Sequence, residues 1–188
     1  MNDILLVSEA FVRDVLTINE NVSGKILLPA IREAQEFGLR PILGQALLDK
    51  IKTLIDADAI GVAGNESYRA VVEHCSYFLA YQSAAELGKK LTYKFGNFGV
   101  AKANDENLQV ASWEEISKME DYYQGKADAY ALDLQNWLLD NVTDLPELTF
   151  SQRNKMRSNL YSAASCGIWL GGPRGKQLPG SREPRRRR

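Results

Sequence analysis

A single histidine and two cysteines are all that 188 residues offer in imidazole and thiol chemistry, and their placement excludes most of what such groups do. His74 and Cys75 are adjacent on a helical stretch, so their side chains diverge by about 100°. Cys166 lies 91 positions beyond Cys75. A zinc site draws on ligand pairs two to five residues apart, which this set lacks. The expectation is no metal, no cofactor, and two reduced cysteines buried as small hydrophobes. With one histidine and no serine in a strand-to-helix elbow, nucleophile, base and orienter are not assembled, and the chain reads as a non-enzyme. His74 reads as a flank or contact position. Asp128 and Asp133 do not share a helical face, which removes a paired acid and base.

Long apolar runs are missing too. No stretch approaches the roughly 18 to 20 residues of a membrane span. The opening, Met1 to Glu9, has neither a basic n-region nor a long apolar core, so cytosol-like surroundings are expected. Apolar residues make up 45% and charged residues 25%, which suits a water-soluble globular core.

Charge of one sign is scarce at the end of the chain. From Gly172 to Arg188 there are seven Arg or Lys and one Glu, net +6, so with a total of −1 the remainder carries −7. A Gly- and Pro-containing cationic segment cannot bury itself and stays solvated or finds an anionic partner. Gly171 to Gln177 superficially suggests a phosphate-binding loop. Leu170 replaces its first glycine and Gln177 its Ser or Thr, leaving a basic exit strand as the reading.

Helical periodicity fills most of the rest. Ser8 caps a short helix carrying Phe11, Val12, Val15 and Leu16. A second helix is predicted from about Ser23 to Phe37, starting or kinking at Pro29. Gly38 is expected to stop it in a left-handed conformation, with Arg40-Pro41 disfavouring helix next. Gly44 opens a third helix through Ile55, ended by Gly61 to Asn65. A long fourth helix runs from Glu66 to about Lys94 on a stripe of Tyr68, Val71, Val72, Cys75, Phe78, Leu79 and Gln82, weakened late by Gly88.

Phe95 to Ala101 breaks the period and predicts a loop or short hairpin arm. Phe98 to Ala101 and Cys166 to Leu170 are short enough to need a strand from elsewhere, in this chain or another, as partner. Ser112 and Glu115 form a capping box that opens a long helix with Ile116, Met119, Tyr123, Ala127, Tyr130, Leu134 and Trp137 on one face. Asp144-Leu145-Pro146 ends it, and Ser151 is placed as the cap of a last helix through Met156, Leu160 and Ala164. Trp113, Tyr122, Tyr123, Tyr130 and Trp137 are assigned to core and subunit contact.

The fold class is therefore all-α: a helical bundle with two long amphipathic helices, a short loop or hairpin arm and an extended basic tail. A helical domain spans residues 1–166. An extended arm spans 167–188.

Leu28 to Phe37, followed by Leu39 to Gly44 and a helix from Gln45 to Ile55, resembles a family of phage and prophage proteins of Bacteroidetes, including crAss-like phages. Members of that family are similar to the head-to-tail connector, or neck and ring adaptor, proteins of tailed phages. Cys166 to Gly172 with trailing arginines shares the likeness. The resemblance implies a helical connector-like domain, a virion location reached by assembly in the host cytoplasm, and no active site. It also implies partners: further copies of the chain in a dodecameric ring, the portal protein, other neck or tail proteins, and non-specific contact with double-stranded DNA in the channel. No membrane is involved. The arm residues expected to bind are Ile168 and Trp169 as apolar anchors and Arg174, Lys176, Arg182, Arg185, Arg186, Arg187 and Arg188 as charged contacts. The alternative is a nucleic-acid-binding accessory protein using the same arginines. A ligand-binding bundle or small enzyme is a third class, which would need a closed polar pocket.

Overall fold

The computed structural model describes residues 4–16, 22–96, 99–102, 112–150 and 152–157. They are predominantly helical, in the order α1 (Glu9–Leu16), α2 (Gly24–Glu33), a π-helical turn (Ala34–Leu39), α3 (Arg40–Leu43), α4 (Gln45–Asp56), α5 (Glu66–Thr92), β1 (Tyr93–Gly96), β2 (Gly99–Lys102), α6 (Trp113–Asp140) and a 3-10 turn (Val142–Asp144). A further helical segment covers 152–157. The boundary between 166 and 167 lies outside the described residues.

Local chemistry explains most of the helix starts. Ser8 Oγ accepts the Phe11 N–H at 3.1 Å, and Ser23 Oγ accepts that of Lys25 at 3.3 Å. At α6 the capping box is complete: Ser112 N–H donates to Glu115 Oε2 at 2.7 Å, and Glu115 N–H to Ser112 Oγ at 3.3 Å. These bonds hold the Glu115 carboxyl below its usual range. The last helical segment is capped by Thr149, and Ser151, the expected cap, lies outside the described residues. Gln152 N–H donates to Thr149 Oγ1 at 3.3 Å while Gln152 Oε1 accepts the Thr149 N–H at 3.2 Å, so Thr149-x-x-Gln152 is a second capping box. Leu160 and Ala164 lie outside the described residues.

Two punctuation marks act differently from expectation. Gly38 does not end a helix; α2, the π turn and α3 run on without a break from Gly24 to Leu43, and Gly38 is not among the positive-φ residues. Its reason is proximity, because a Cβ there would stand 3.1 Å from the Phe78 ring and 3.3 Å from Gln82 Cγ on α5. Nor does Pro41 exclude helix, since it occupies the first turn of α3. The preceding π turn, in which Arg40 N–H reaches Gln35 O, adds a residue to the turn and so shifts the carbonyl that the proline ring would meet. Pro29 lies inside α2, whose regular helix already begins at Gly24. The chain turns instead at Gly44, with φ 79° and ψ 162°.

The core cluster reaches from Leu6 to Met156 and includes Leu27, Ile31, Leu39, Leu43, Leu47, Leu48, Ile51, Leu79, Leu134 and Leu138. Helix α5 is its centre, packing chiefly against α6 and also against α1, α2 and the π turn. That position widens its buried surface beyond the expected stripe. Ala80, Ser83, Ala84, Ala85 and Leu87 are buried along with Tyr68, Val71, Cys75, Phe78 and Leu79. Gly88 does not interrupt α5; the Met119 methyl lies 3.1 Å from where its Cβ would be, so the glycine admits α6. Met119 itself is 42% exposed, at the edge rather than in the core.

Strands β1 and β2 pair antiparallel, with Tyr93 opposite Lys102 and Gly96 opposite Gly99. Gly99 to Ala101, predicted to need a strand from elsewhere, thus pair with β1 of the same chain, as the expected short hairpin arm allows. At the other end, buried Gln35 fastens the opening segment. Its Oε1 accepts the Leu6 N–H at 2.9 Å and its Nε2 donates to Ile4 O at 3.0 Å.

Candidate functional site

The seam between α5 and α6 carries an aromatic ladder. Tyr77 and Tyr81 stand one turn apart on α5, and Tyr123 and Tyr130 stand two turns apart on α6, so the two pairs interleave. Ring centroids are 5.5 Å apart for Tyr77 and Tyr130, 5.5 Å for Tyr130 and Tyr81, and 6.4 Å for Tyr81 and Tyr123. Phe11 of α1 meets Tyr77 edge-on at 5.7 Å, and Tyr122 meets Tyr123 edge-on at 5.3 Å. Such offset and edge contacts match the ring quadrupoles and add to area burial.

The ladder is partly wet. Tyr77 is 46% and Tyr122 59% exposed, whereas Tyr81, Tyr130 and Trp137 are partly buried and pack against the core, so the ladder runs along the edge of the helix pair. Of the aromatics assigned to core and subunit contact, Trp113 and Tyr122 are exposed in the single chain and so lie outside its core. The helical phase of Tyr122 rotates it off the contact face set by Ile116, Ala127, Leu134 and Leu138, whereas Trp113 is the first residue of α6, at the end of that face. The signal for the ladder was present in the i, i+4 spacing of Tyr77 and Tyr81, which the core stripe of α5 passed over.

The two ends of the ladder differ in charge. At one end Lys126 Nζ lies 5.5 Å from the Tyr81 ring centroid and 5.2 Å from that of Tyr122, two cation–π contacts supplied by the chain itself. At the other end the seam opens into a groove of about 600 Å³ lined by Glu73, His74, Tyr130, Asp133, Trp137 and Asp140 among others. His74 and Trp137 rings stand 4.8 Å apart at 31°, which places the lone histidine on a surface aromatic pair. Glu73 is paired with Arg69 at 2.9 Å. Asp133 and Asp140, two turns apart on α6, enter no ion pair among the described residues. The groove is therefore aromatic, anionic and open.

Among the described residues no group of three His, Cys, Asp or Glu side chains is arranged to hold a metal ion. Cys75 is buried, and burial pushes its thiol far above the ordinary range, away from the reactive thiolate. Cys166 lies outside the described residues. So do all the arm positions expected to bind: Ile168, Trp169, Arg174, Lys176, Arg182 and Arg185 to Arg188. Of the basic zone that leads to them, Lys155 and Arg157 are exposed and Arg153 is half-buried. No helix among the described residues is long and apolar enough to cross a membrane.

Comparison with known proteins yields one relationship. No curated protein and no solved structure matches the chain. Residues 39–158, from the end of the π turn through α6 and the last helical segment, match the model of a family of unknown function (DUF6712), and the chain belongs to that family.

Proposed function

We propose that this chain is a virion structural protein of a phage head-to-tail interface. In this reading it is a helical-bundle subunit, with α5 and α6 as its long amphipathic members, that forms a dodecameric ring on the portal and extends the DNA channel toward the tail. Residues 167–188 serve as an arm that joins neighbouring copies or portal, and catalysis has no part. One observation carries the reading: a helical body of net charge −7 and a terminal segment of net charge +6 stand on one chain. A ring that closes by rotation needs two different, complementary faces on every subunit, and opposite charge is a direct way to supply them. The resemblance of the Leu28 to Gly44 block to connector proteins supports the same reading.

Deletion of residues 172–188 tests it. The truncated chain should keep its helical circular dichroism and melting temperature and lose the high-mass species that the intact chain forms with portal. Rings of normal mass from the truncation would overturn the arm's role, and an intact chain that stays single beside portal would overturn the ring.

A second reading, nucleic-acid binding, is favoured by Lys155 and Arg157, which continue the positive zone into the folded part. It requires tight DNA binding by the single chain with a steep salt dependence.

A further inference from the structure

We infer that the acidic, aromatic groove between α5 and α6 is the receptor for the arginine end of a second copy, the segment from Arg182 to Arg188. The inference rests on the ring reading above and names the two faces that meet.

Three features of the groove select arginine. First, the aromatic seam already holds a cation at one end, where Lys126 is seated over Tyr81 and Tyr122, while the His74–Trp137 end has no such cation among the described residues. Second, Asp133 and Asp140 offer two carboxylates without an ion-pair partner among those residues, beside that aromatic pair. A guanidinium stacks on an aromatic face while donating two parallel hydrogen bonds to a carboxylate, which an ammonium does not do. Third, spacing fits. Asp133 and Asp140 are separated by about 10.5 Å along the helix axis, and an extended strand covers that in about three residues, so the span from Arg185 to Arg188 matches the distance between the two carboxylates. An anionic groove also repels DNA and membrane phosphates. The oppositely charged segment of the same polypeptide is the ligand that every assembly holds in equal number.

The test uses full-length chains as receptors. A fluorescent peptide of residues 172–188 is titrated into the intact chain and into a full-length Asp133→Asn, Asp140→Asn variant. Both positions are exposed and the replacements isosteric, so folding is preserved. The masses of both proteins are measured with portal. The expected results are peptide affinity about tenfold weaker for the variant, weaker binding of a peptide whose arginines are replaced by lysine, and loss of high-mass species by the variant. Equal affinity of the two proteins, or equal binding of the lysine peptide, overturns the groove as receptor even where rings form. Weakened peptide binding with unchanged assembly overturns the second copy as occupant and assigns the groove to the chain's own tail. A wild-type chain that never assembles ends the ring reading and, with it, the second copy.

Discussion

Leu6 donates its backbone N–H to Gln35 Oε1 at 2.9 Å across 29 residues of sequence, inside the core. The same carboxamide donates to Ile4 O, so one side chain satisfies two backbone groups of a segment that has no secondary structure of its own. A buried unpaired amide costs far more than the bond gains, which makes Gln35 a clamp and not a passenger.

Replacing Gln35 with Leu keeps the volume and removes both partners. The variant should lose about 1–3 kcal/mol in urea unfolding, with hydrogen exchange faster at Leu6 and the opening segment than elsewhere. Unchanged stability would show that the segment does not depend on this clamp.

Gly44 joins backbone and packing constraints at one position. Its φ of 79° disfavours any side chain, and a Cβ there would overlap the Gln152 carboxamide. Gly44→Ala should therefore cost about 1–3 kcal/mol from backbone strain alone, with overlap added. Pairing it with Gln152→Ala should recover the overlap part only. Full recovery in the double variant, read by thermal unfolding, would assign the whole cost to Gln152.

Two groups shape the pH limits of stability. Glu36 lies below the usual carboxylate range, first because Lys52 Nζ donates to it at 3.0 Å and then through the charges of Lys52 and Arg40, with partial burial opposing. A depressed folded value means stability present above the ordinary carboxylate pKa and lost as pH falls through the folded one. Glu36→Gln should flatten that acid limb. Tyr68 is shifted upward, mainly by burial and then by the Glu147 carboxylate that accepts its hydroxyl at 2.9 Å. Its contribution is complete below the ordinary tyrosine pKa near 10 and fades as pH rises through the folded value. Tyr68→Phe should remove that alkaline loss. Melting temperature against pH for the three proteins decides, and parallel curves would refute both assignments.

Cys75 should resist iodoacetamide in the native chain. In a Cys166→Ser background, modification should wait for unfolding, because the thiol is both buried and disfavoured as thiolate. Rapid native labelling, detected by mass, would place Cys75 at a surface.

What could be read without coordinates was whatever closes within about one helical turn. The Ser112 and Glu115 box, the Ser8 and Ser23 caps and the burial of Val71, Cys75 and Leu79 depend on residues three or four apart, and sequence spacing contains that distance. Thr149-x-x-Gln152 was equally legible and was passed over for Ser151. Gly38 was not legible in the same sense, because a glycine that ends a helix and one that lets α5 approach are the same letter. The same holds for the seam. Tyr77, Tyr81 and His74 on α5 become a ladder and a groove only once α6 lies beside them in one register, bringing Tyr130, Asp133 and Trp137 across from far along the sequence. Local hydrogen bonding determined the helices. Which of their faces meet, and which are left to water and a partner, was decided by how α5 and α6 pack.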